Sequence, residues 1–336
     1  MVWLKFIASL VIILFAGIKL ALYGDAIAEK TRLGRLWIGL VLLASITTIP
    51  ELVTAVSSTA LIGIPDLAMG TLLGSCMFNL AILTLLDVIH RPTPILSQAS
   101  LRHIASAGVG ILLIGTAAAS IFAGENLTRL TLGWVGIPSI IILILYLIAT
   151  RQMFRFNRSH PEPQTESASS RYAHFPAKTV YLRFTLAAIA VIGAGIWLSF
   201  IGDEIAGTTG WGASFVGSLF LAITTSMPEL VVAITALRLG AIDMAIADIL
   251  GANMLDIMVI IWADLFYTPG PMLSAVSDAH LTTAMAAIVM SLLVMVGLCF
   301  RQKRKTFVIV SWYTPVLCGL YIFGAYSLFT SGITLG

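Results

Sequence analysis

Two segments of the chain repeat one another: Thr47-Thr48-Ile49-Pro50-Glu51-Leu52-Val53 and Thr225-Ser226-Met227-Pro228-Glu229-Leu230-Val231. Each sets a glutamate beside a proline inside an otherwise apolar run, where a carboxylate costs about 2.5 to 3.5 kcal/mol on insertion scales. Cations crossing a membrane would offset that cost at both places. Proline adds a second kind of oxygen. Having no N–H, Pro50 withdraws the helical donor from the Ile46 carbonyl, and Pro228 does the same for Thr224. At helical spacing Thr47 lies one turn before Glu51 and Thr225 one turn before Glu229, so hydroxyl, carbonyl and carboxylate oxygens converge. Ser75 and Asn79 are likewise four apart, as are Ala252 and Asp256. A set made only of oxygen suits hard ions such as Ca²⁺ or Na⁺, whereas softer metals prefer His or Cys. The histidines, His90, His103, His160, His174 and His280, fall in loops or at the ends of apolar runs. Cys76, Cys299 and Cys318 read as small hydrophobes, with neither a disulfide framework nor a thiolate cluster indicated.

These residues must be held by membrane-spanning elements. Hydrophobic residues make up 59% of the chain and charged ones 10%, with mean hydropathy +1.00, which excludes a soluble domain. Ten apolar runs are long enough to span, near 2–22, 34–61, 65–88, 102–123, 129–150, 180–200, 211–238, 243–266, 280–300 and 306–330. The period-two alternation of a membrane barrel is absent. The first run is long and lacks a clear cleavage site, so it is expected to be retained as a span. With ten spans nearly all the Lys and Arg residues share one side, among them Arg35, Arg91, Arg151, Arg238 and Arg301, while Lys5 and Arg129 lie on the other. The positive-inside rule then predicts that both termini are extracytoplasmic.

A polar stretch divides the chain near its midpoint, so the sequence predicts a first five-helix repeat over 1–150, a cytoplasmic linker over 151–179 and a second repeat over 180–336. Five is odd, so the second half enters the membrane from the opposite face and is inverted. Duplication is visible in the residues. At an offset of 178, Ala44–Val56 and Ala222–Ile234 share seven of thirteen positions, and at 177, Gly63, Asp66, Gly74 and Asn79 align with Gly240, Asp243, Gly251 and Asp256. The fold class expected is all-α integral membrane, with ten transmembrane helices arranged as two inverted repeats. Asp66, Asp87, Asp243 and Asp264, at the span ends, are expected at the membrane interface.

Each Pro-Glu motif is followed by Gly74-Ser75-Cys76-Met77-Phe78-Asn79 or by Gly251-Ala252-Asn253-Met254-Leu255-Asp256. On these motifs the chain resembles the calcium/cation antiporter superfamily, in particular the prokaryotic sodium/calcium exchangers. The resemblance implies exchange of Na⁺ for Ca²⁺ by alternating access, with the first and sixth helices sliding across a fixed core. It implies Glu51 and Glu229 as central Ca²⁺ ligands, with Thr47 or Thr48 and Thr225 or Ser226 adding backbone or hydroxyl oxygens, and Asn79 and Asp256 completing the set. Flanking Na⁺ sites would use Ser75, and the carbonyls of Ala44 and Ala222 with Thr47 and Thr225. The chain departs from the family pattern at Ala252, where a serine is usual, and at Asp248, an acid two helical turns before Asp256. Asp248 reads as an extra ligand, a proton acceptor or an entrance residue.

The expected function is therefore a secondary transporter, not an enzyme, exchanging Ca²⁺ for Na⁺ at an all-oxygen site near the bilayer midplane. Three acids against one Ca²⁺ leave one charge over, so Asp256 is expected to carry a proton when Ca²⁺ is bound. The alternative within this fold is proton-coupled exchange of calcium or another divalent cation. A membrane lipid pyrophosphate phosphatase is more remote, because no Arg or Lys falls at mid-span to hold phosphate. No cofactor or nucleic acid is expected, only the transported Ca²⁺ and Na⁺ (or H⁺) and the lipid bilayer, with a monomer sufficient. Short loops and the lack of a regulatory calcium-binding domain point to a prokaryotic plasma membrane.

Overall fold

Lipid offers the backbone no hydrogen bonds, so apolar runs of this length satisfy their own N–H and C=O groups as helices. The computed structural model describes residues 1–31, 43–90, 93–124, 130–159, 176–300, 302, 304–307 and 309–334. The first half comprises α1 (Val2–Thr31), α2 (Leu43–Thr47), α3 (Ile49–Ser57) running into a π turn (Ser58–Ile62), α4 (Pro65–Ile89), α5 (Ile95–Gln98) and α6 (His103–Ala123). It closes with β1 (Thr131–Leu132), β2 (Val135–Gly136) and α7 (Ile137–Ser159). The second half comprises α8 (Ala177–Thr209), α9 (Ala213–Val216), a π turn (Gly217–Leu221), α10 (Ala222–Thr225), α11 (Met227–Arg238), α12 (Ile242–Met258) and α13 (Ile260–Leu265). Then come α14 (Met272–Ala275), α15 (Ala279–Cys299) and α16 (Tyr313–Thr334).

Among the described residues, nine helical runs are long and apolar enough to cross a membrane, and the pair Ala213–Thr225 and Met227–Arg238, bent by 44°, makes a tenth. The fifth span starts at Ile137 rather than near 129, because residues 131–136 fold as an antiparallel hairpin. Gly133, at φ 68°, takes the left-handed turn that this hairpin needs. Helix α7 runs on to Ser159, into the segment that the sequence assigns to the linker, and α8 begins at Ala177. Residues 160–175 lie outside the described residues, as do Arg32, Arg35, Arg91, Arg129, Arg171, Arg301 and Lys303.

The two halves are related by a twofold, and the polar contacts record it. Residues 177 apart touch each other or exchange partners, as isologous surfaces do. Cys76 Sγ donates to the Asn253 carbonyl at 3.6 Å, while Asn253 Nδ2 donates to the Cys76 carbonyl at 3.3 Å. Asp66 of the first half accepts from the Ser277 N–H at 2.8 Å and pairs with His280 at 3.0 Å. Asp243 of the second half accepts from the Ser100 N–H at 2.6 Å and pairs with His103 at 2.9 Å. Ser100 and His103 stand 177 before Ser277 and His280, so each half clasps the other through the same three residues.

The main apolar core gathers residues of α4, α6, α12 and α15, such as Leu72, Leu80, Leu113, Ile249, Met290 and Val294. Among the described residues, none from α1 or α8 joins it. Those two helices lie antiparallel against each other, tied by Lys5 to Glu204 at 2.6 Å and by Ser9 to the Ala194 carbonyl at 3.2 Å. They bury their apolar faces in separate small clusters, one around Ile13, Leu198 and Ile205 and one around Leu20 and Val191.

Close approach of α4 to the seventh span depends on glycine. A Cβ added at Gly74 would stand 2.5 Å from Ser218 Cα and 2.8 Å from Ala222 Cβ. Gly74→Val is therefore expected to cost about 1–3 kcal/mol through overpacking, measured as a lower thermal midpoint in detergent. Gly108, where an added Cβ meets nothing within 4 Å, supplies the control Gly108→Ala. Equal midpoints for the two variants would refute this packing.

Candidate functional site

The prolines break their helices just before the glutamates. Thr48, at φ −78° and ψ 1°, separates α2 from α3, and Ser226, at φ −86° and ψ 10°, separates α10 from α11. Both lie in the bridge region of backbone space. Pro50 and Pro228 occupy the first turns of α3 and α11, where a missing N–H costs nothing. Glu51 and Glu229 fall in the same first turns, where exposed N–H groups and the helix dipole favour negative charge. Glu51, Glu229, Asn79 and Asp256 are all 1% exposed or less.

The expected residues gather in two groups. Ser226 Oγ lies 2.9 Å from Glu51 Oε1 and 2.9 Å from Ser75 Oγ, and Ser75 Oγ is 3.4 Å from the same Glu51 oxygen. A serine of the second half thus reaches the glutamate of the first. Asn79 Nδ2 donates to Asp256 Oδ2 at 3.4 Å, joining two residues that the repeat makes equivalent. The remaining hydroxyls turn back on their own helices. Thr47 and Thr48 donate to the Ala44 carbonyl at 3.1 and 2.8 Å, and Thr225 to the Ala222 carbonyl at 3.2 Å. Ala44 and Ala222 thus present carbonyl oxygens already shared with threonine hydroxyls.

Of the expected ligands, Glu51 Oε2, Glu229 Oε2 and Asn79 Oδ1 are buried without a hydrogen-bond partner, as are Asn253 Oδ1 and both carboxylate oxygens of Asp248 nearby in the sequence. Among the described residues, however, no three His, Cys, Asp or Glu side chains stand close enough together to hold a metal ion. A cation bound here would draw on hydroxyl, amide and carbonyl oxygens alongside the carboxylates.

Several residues were missed or misread from sequence. Cys76 is more than a small hydrophobe, since its Sγ contacts Asp256 Oδ2 at 3.9 Å. Its partner Asn253 belongs to the same centre, and the 177-residue offset linking them was the available signal. Asp87 and Asp264, near the ends of their spans, are fully buried within the protein. Each pins the loop after its span, accepting from the N–H eight residues on, Ile95 at 3.1 Å and Met272 at 2.7 Å. His103 and His280 are structural partners of Asp243 and Asp66 across the twofold.

Helices broken at buried acids, at the meeting of two inverted halves, define an inverted-repeat membrane transporter. The sequence profile of the family described as sodium/calcium exchanger protein matches residues 1–153 and 179–333, and the chain belongs to that family of membrane exchangers. It is 25% identical over 269 residues to the inner membrane protein YrbG of Escherichia coli (strain K12), covering 79% of each chain. It is 24% identical over 296 residues to the putative antiporter CaxA of Alkalimonas amylolytica, covering 85% of this chain and 87% of that one. To the sodium/calcium exchanger MaX1 of Methanosarcina acetivorans it is 31% identical over 150 residues, or 43% of this chain and 41% of MaX1. The solved structure of the sodium-calcium exchanger NCX_Mj soaked with 2.5 mM Na⁺ and 10 mM Sr²⁺ shares the fold, with TM-score 0.62 and 21% identity over 97% of this chain and 99% of that one.

Proposed function

We propose that this cation antiporter exchanges Ca²⁺ for Na⁺ by alternating access, with the ions held near the bilayer midplane. The observation that carries the reading is the mirrored pair Glu51 and Glu229, each buried at a proline break where the repeats meet. A mobile positive charge would offset the cost of two such carboxylates in lipid. The ligand set proposed is Glu51, Glu229, Asn79 and Asp256, with Ser75, Thr47, Thr48, Thr225 and Ser226 and the carbonyls of Ala44 and Ala222. Oxygen ligands and the absence of His or Cys donors among the ligands suit Ca²⁺ and Na⁺.

The moving part proposed is the pair α1 and α8. Supporting this, no described residue of either helix joins the main core, and they approach the site through glycine: Gly17 faces the Pro228 ring and Gly195 faces Val53. A smooth glycine surface lets helices slide with little steric penalty. The distribution of Lys and Arg supports extracytoplasmic termini, and the short loops support a prokaryotic plasma membrane.

A second reading, coupling to H⁺ in place of Na⁺, is favoured by Ala252, which supplies no hydroxyl where Ser75 does in the other repeat. Proteoliposomes decide between them. An outward Na⁺ gradient is expected to drive uptake of radiolabelled Ca²⁺, and an outward H⁺ gradient alone is not. Uptake under the proton gradient only would establish the second reading, and uptake under neither would overturn both. Asp256→Asn, which mimics the proton expected there with Ca²⁺ bound, is expected to slow Ca²⁺ transport without stopping it. Complete loss in that variant would refute this charge assignment.

A further inference from the structure

Six aromatic rings gather at one end of the bundle, away from the ion ligands. Trp3 and Phe6 come from the first two turns of α1, Trp211 from the turn between α8 and α9, Phe215 from α9, Phe220 from the π turn of the seventh span and Phe329 from near the end of α16. Trp211 stacks on Phe220 at 5.5 Å with the ring planes 10° apart. Trp3 lies 6.0 Å from Trp211 and 5.5 Å from Phe220, and Phe6 meets Phe220 edge-on at 5.6 Å. Phe329 adds contacts of 6.2 Å to Trp211 and 5.2 Å to Phe215. Ring pairs at such separations attract beyond the area they bury. Trp211 thereby joins the first turn of α1 to the end of α16, so both ends of the chain share this face, proposed above as extracytoplasmic. Below the rings α1 follows the seventh span to the site: Ile13 packs with Val216 and Leu221, and Gly17 faces the ring of Pro228, the residue before Glu229.

We propose that this aromatic collar locks the terminal face shut, and that Trp3 and Phe6 part from Phe220 and Trp211 before an ion reaches the site from that side. The inference rests on the alternating-access reading above and deepens it. Gly17 gives α1 a smooth surface against Pro228, but the interlocked rings do not slide. Any travel of α1 along the seventh span separates Trp3 and Phe6 from Phe220, so the collar sets how readily this face opens. The repeat carries matching residues at the opposite face. An offset of 178 pairs Trp3 with Tyr181 and Phe6 with Phe184. An offset of 175 pairs Ser311 and Thr314, which donate to Asp87, with Gly136 and Ser139, which donate to Asp264. The same offset pairs Phe329 with Phe154. Aromatic residues at both ends of the bundle suit a device that each face uses in turn.

Right-side-out and inverted membrane vesicles test this. The half-saturating Ca²⁺ concentration at a face varies inversely with the fraction of chains open to that face. Trp3→Ala is expected to lower it about tenfold at the terminal face, equivalent to ~1.4 kcal/mol. At the other face, where most chains already open, the change is expected to stay under about twofold. Trp3→Phe keeps a ring and should stay within about twofold of wild type at both faces. Phe6→Ala serves if Trp3→Ala fails to fold, with a monodisperse elution peak as the check. Equal shifts at the two faces, or none, overturn the lock, because a purely structural role weakens transport from both sides alike. Hydrogen exchange of the purified full chain without ions is read separately. In Trp3→Ala the amides of residues 2–16 and 211–221 are expected to exchange about tenfold faster, with α6 and α15 unchanged. That result beside a wild type that moves no Ca²⁺ sinks the exchanger reading and leaves the lock standing. Unchanged exchange at residues 2–16 overturns the lock whatever the Ca²⁺ result.

Discussion

Glu51→Gln and Glu229→Gln are each expected to lower Na⁺-dependent Ca²⁺ uptake at least ~100-fold, equivalent to about 2.7 kcal/mol of lost ion stabilisation. Glutamine keeps the size of the side chain and one oxygen but removes the charge. In a dry site that charge has no solvent substitute, because attraction to a divalent ion grows as the dielectric falls. The two variants should differ in detail. Glu51 Oε1 accepts from the serine pair Ser226 and Ser75, so Glu51→Gln also loosens a cross-repeat contact. Glu229 Oε2 has no hydrogen-bond partner, so Glu229→Gln removes charge with less disturbance and should leave the thermal midpoint nearer to wild type. Uptake within tenfold of wild type, in protein reconstituted at equal density, would remove the basis of the ion-site assignment.

Asp87→Ala is expected to produce the largest loss of stability, about 3–5 kcal/mol, the range for uncompensating a buried charged network. The Asp87 carboxylate accepts from the N–H groups of Ile95 at 3.1 Å and Ser311 at 2.9 Å. It accepts as well from the hydroxyls of Ser311 at 2.9 Å and of Tyr313 and Thr314, each at 2.8 Å. Lys305 adds an ion pair at 3.7 Å and donates to the Asp87 carbonyl. Truncation strands five donors at once, and each buried orphan costs about 1–3 kcal/mol before relaxation. Asp87→Asn keeps one acceptor oxygen and should fall between. Thermal unfolding in detergent checks the order wild type, Asn, Ala; an unchanged midpoint for the alanine variant would contradict the network. Asp264, holding Met272, Gly136 and Ser139, should show a smaller loss because it gathers fewer donors.

Much of the candidate site was legible in the residues because its signals are local. A carboxylate beside a proline in an apolar run is conspicuous at any depth, and two copies at a constant offset identify Glu51 and Glu229 without coordinates. Asn79 and Asp256 follow from the same offset, and they meet at 3.4 Å. What eluded the sequence was direction. Thr48 and Ser226 are equivalent in the repeat, yet one hydroxyl turns to its own helix and the other reaches the opposite glutamate. Asp66 and Asp87 both fall near span ends, yet Asp87 is buried beneath the last span while Asp66 clasps His280.

Composition by itself determined that this chain lives in a membrane, since a mean hydropathy of +1.00 leaves no soluble alternative. Spacing determined the spans, the duplication and the acids at their breaks, because helical period and proline chemistry act over a few residues. Only the tertiary structure decided which oxygens face one another across the two halves. That outcome depends on how each helix is rotated and how near glycines such as Gly74 let its neighbour come. Those quantities are set by packing among segments some 177 residues apart, and no local pattern encodes them.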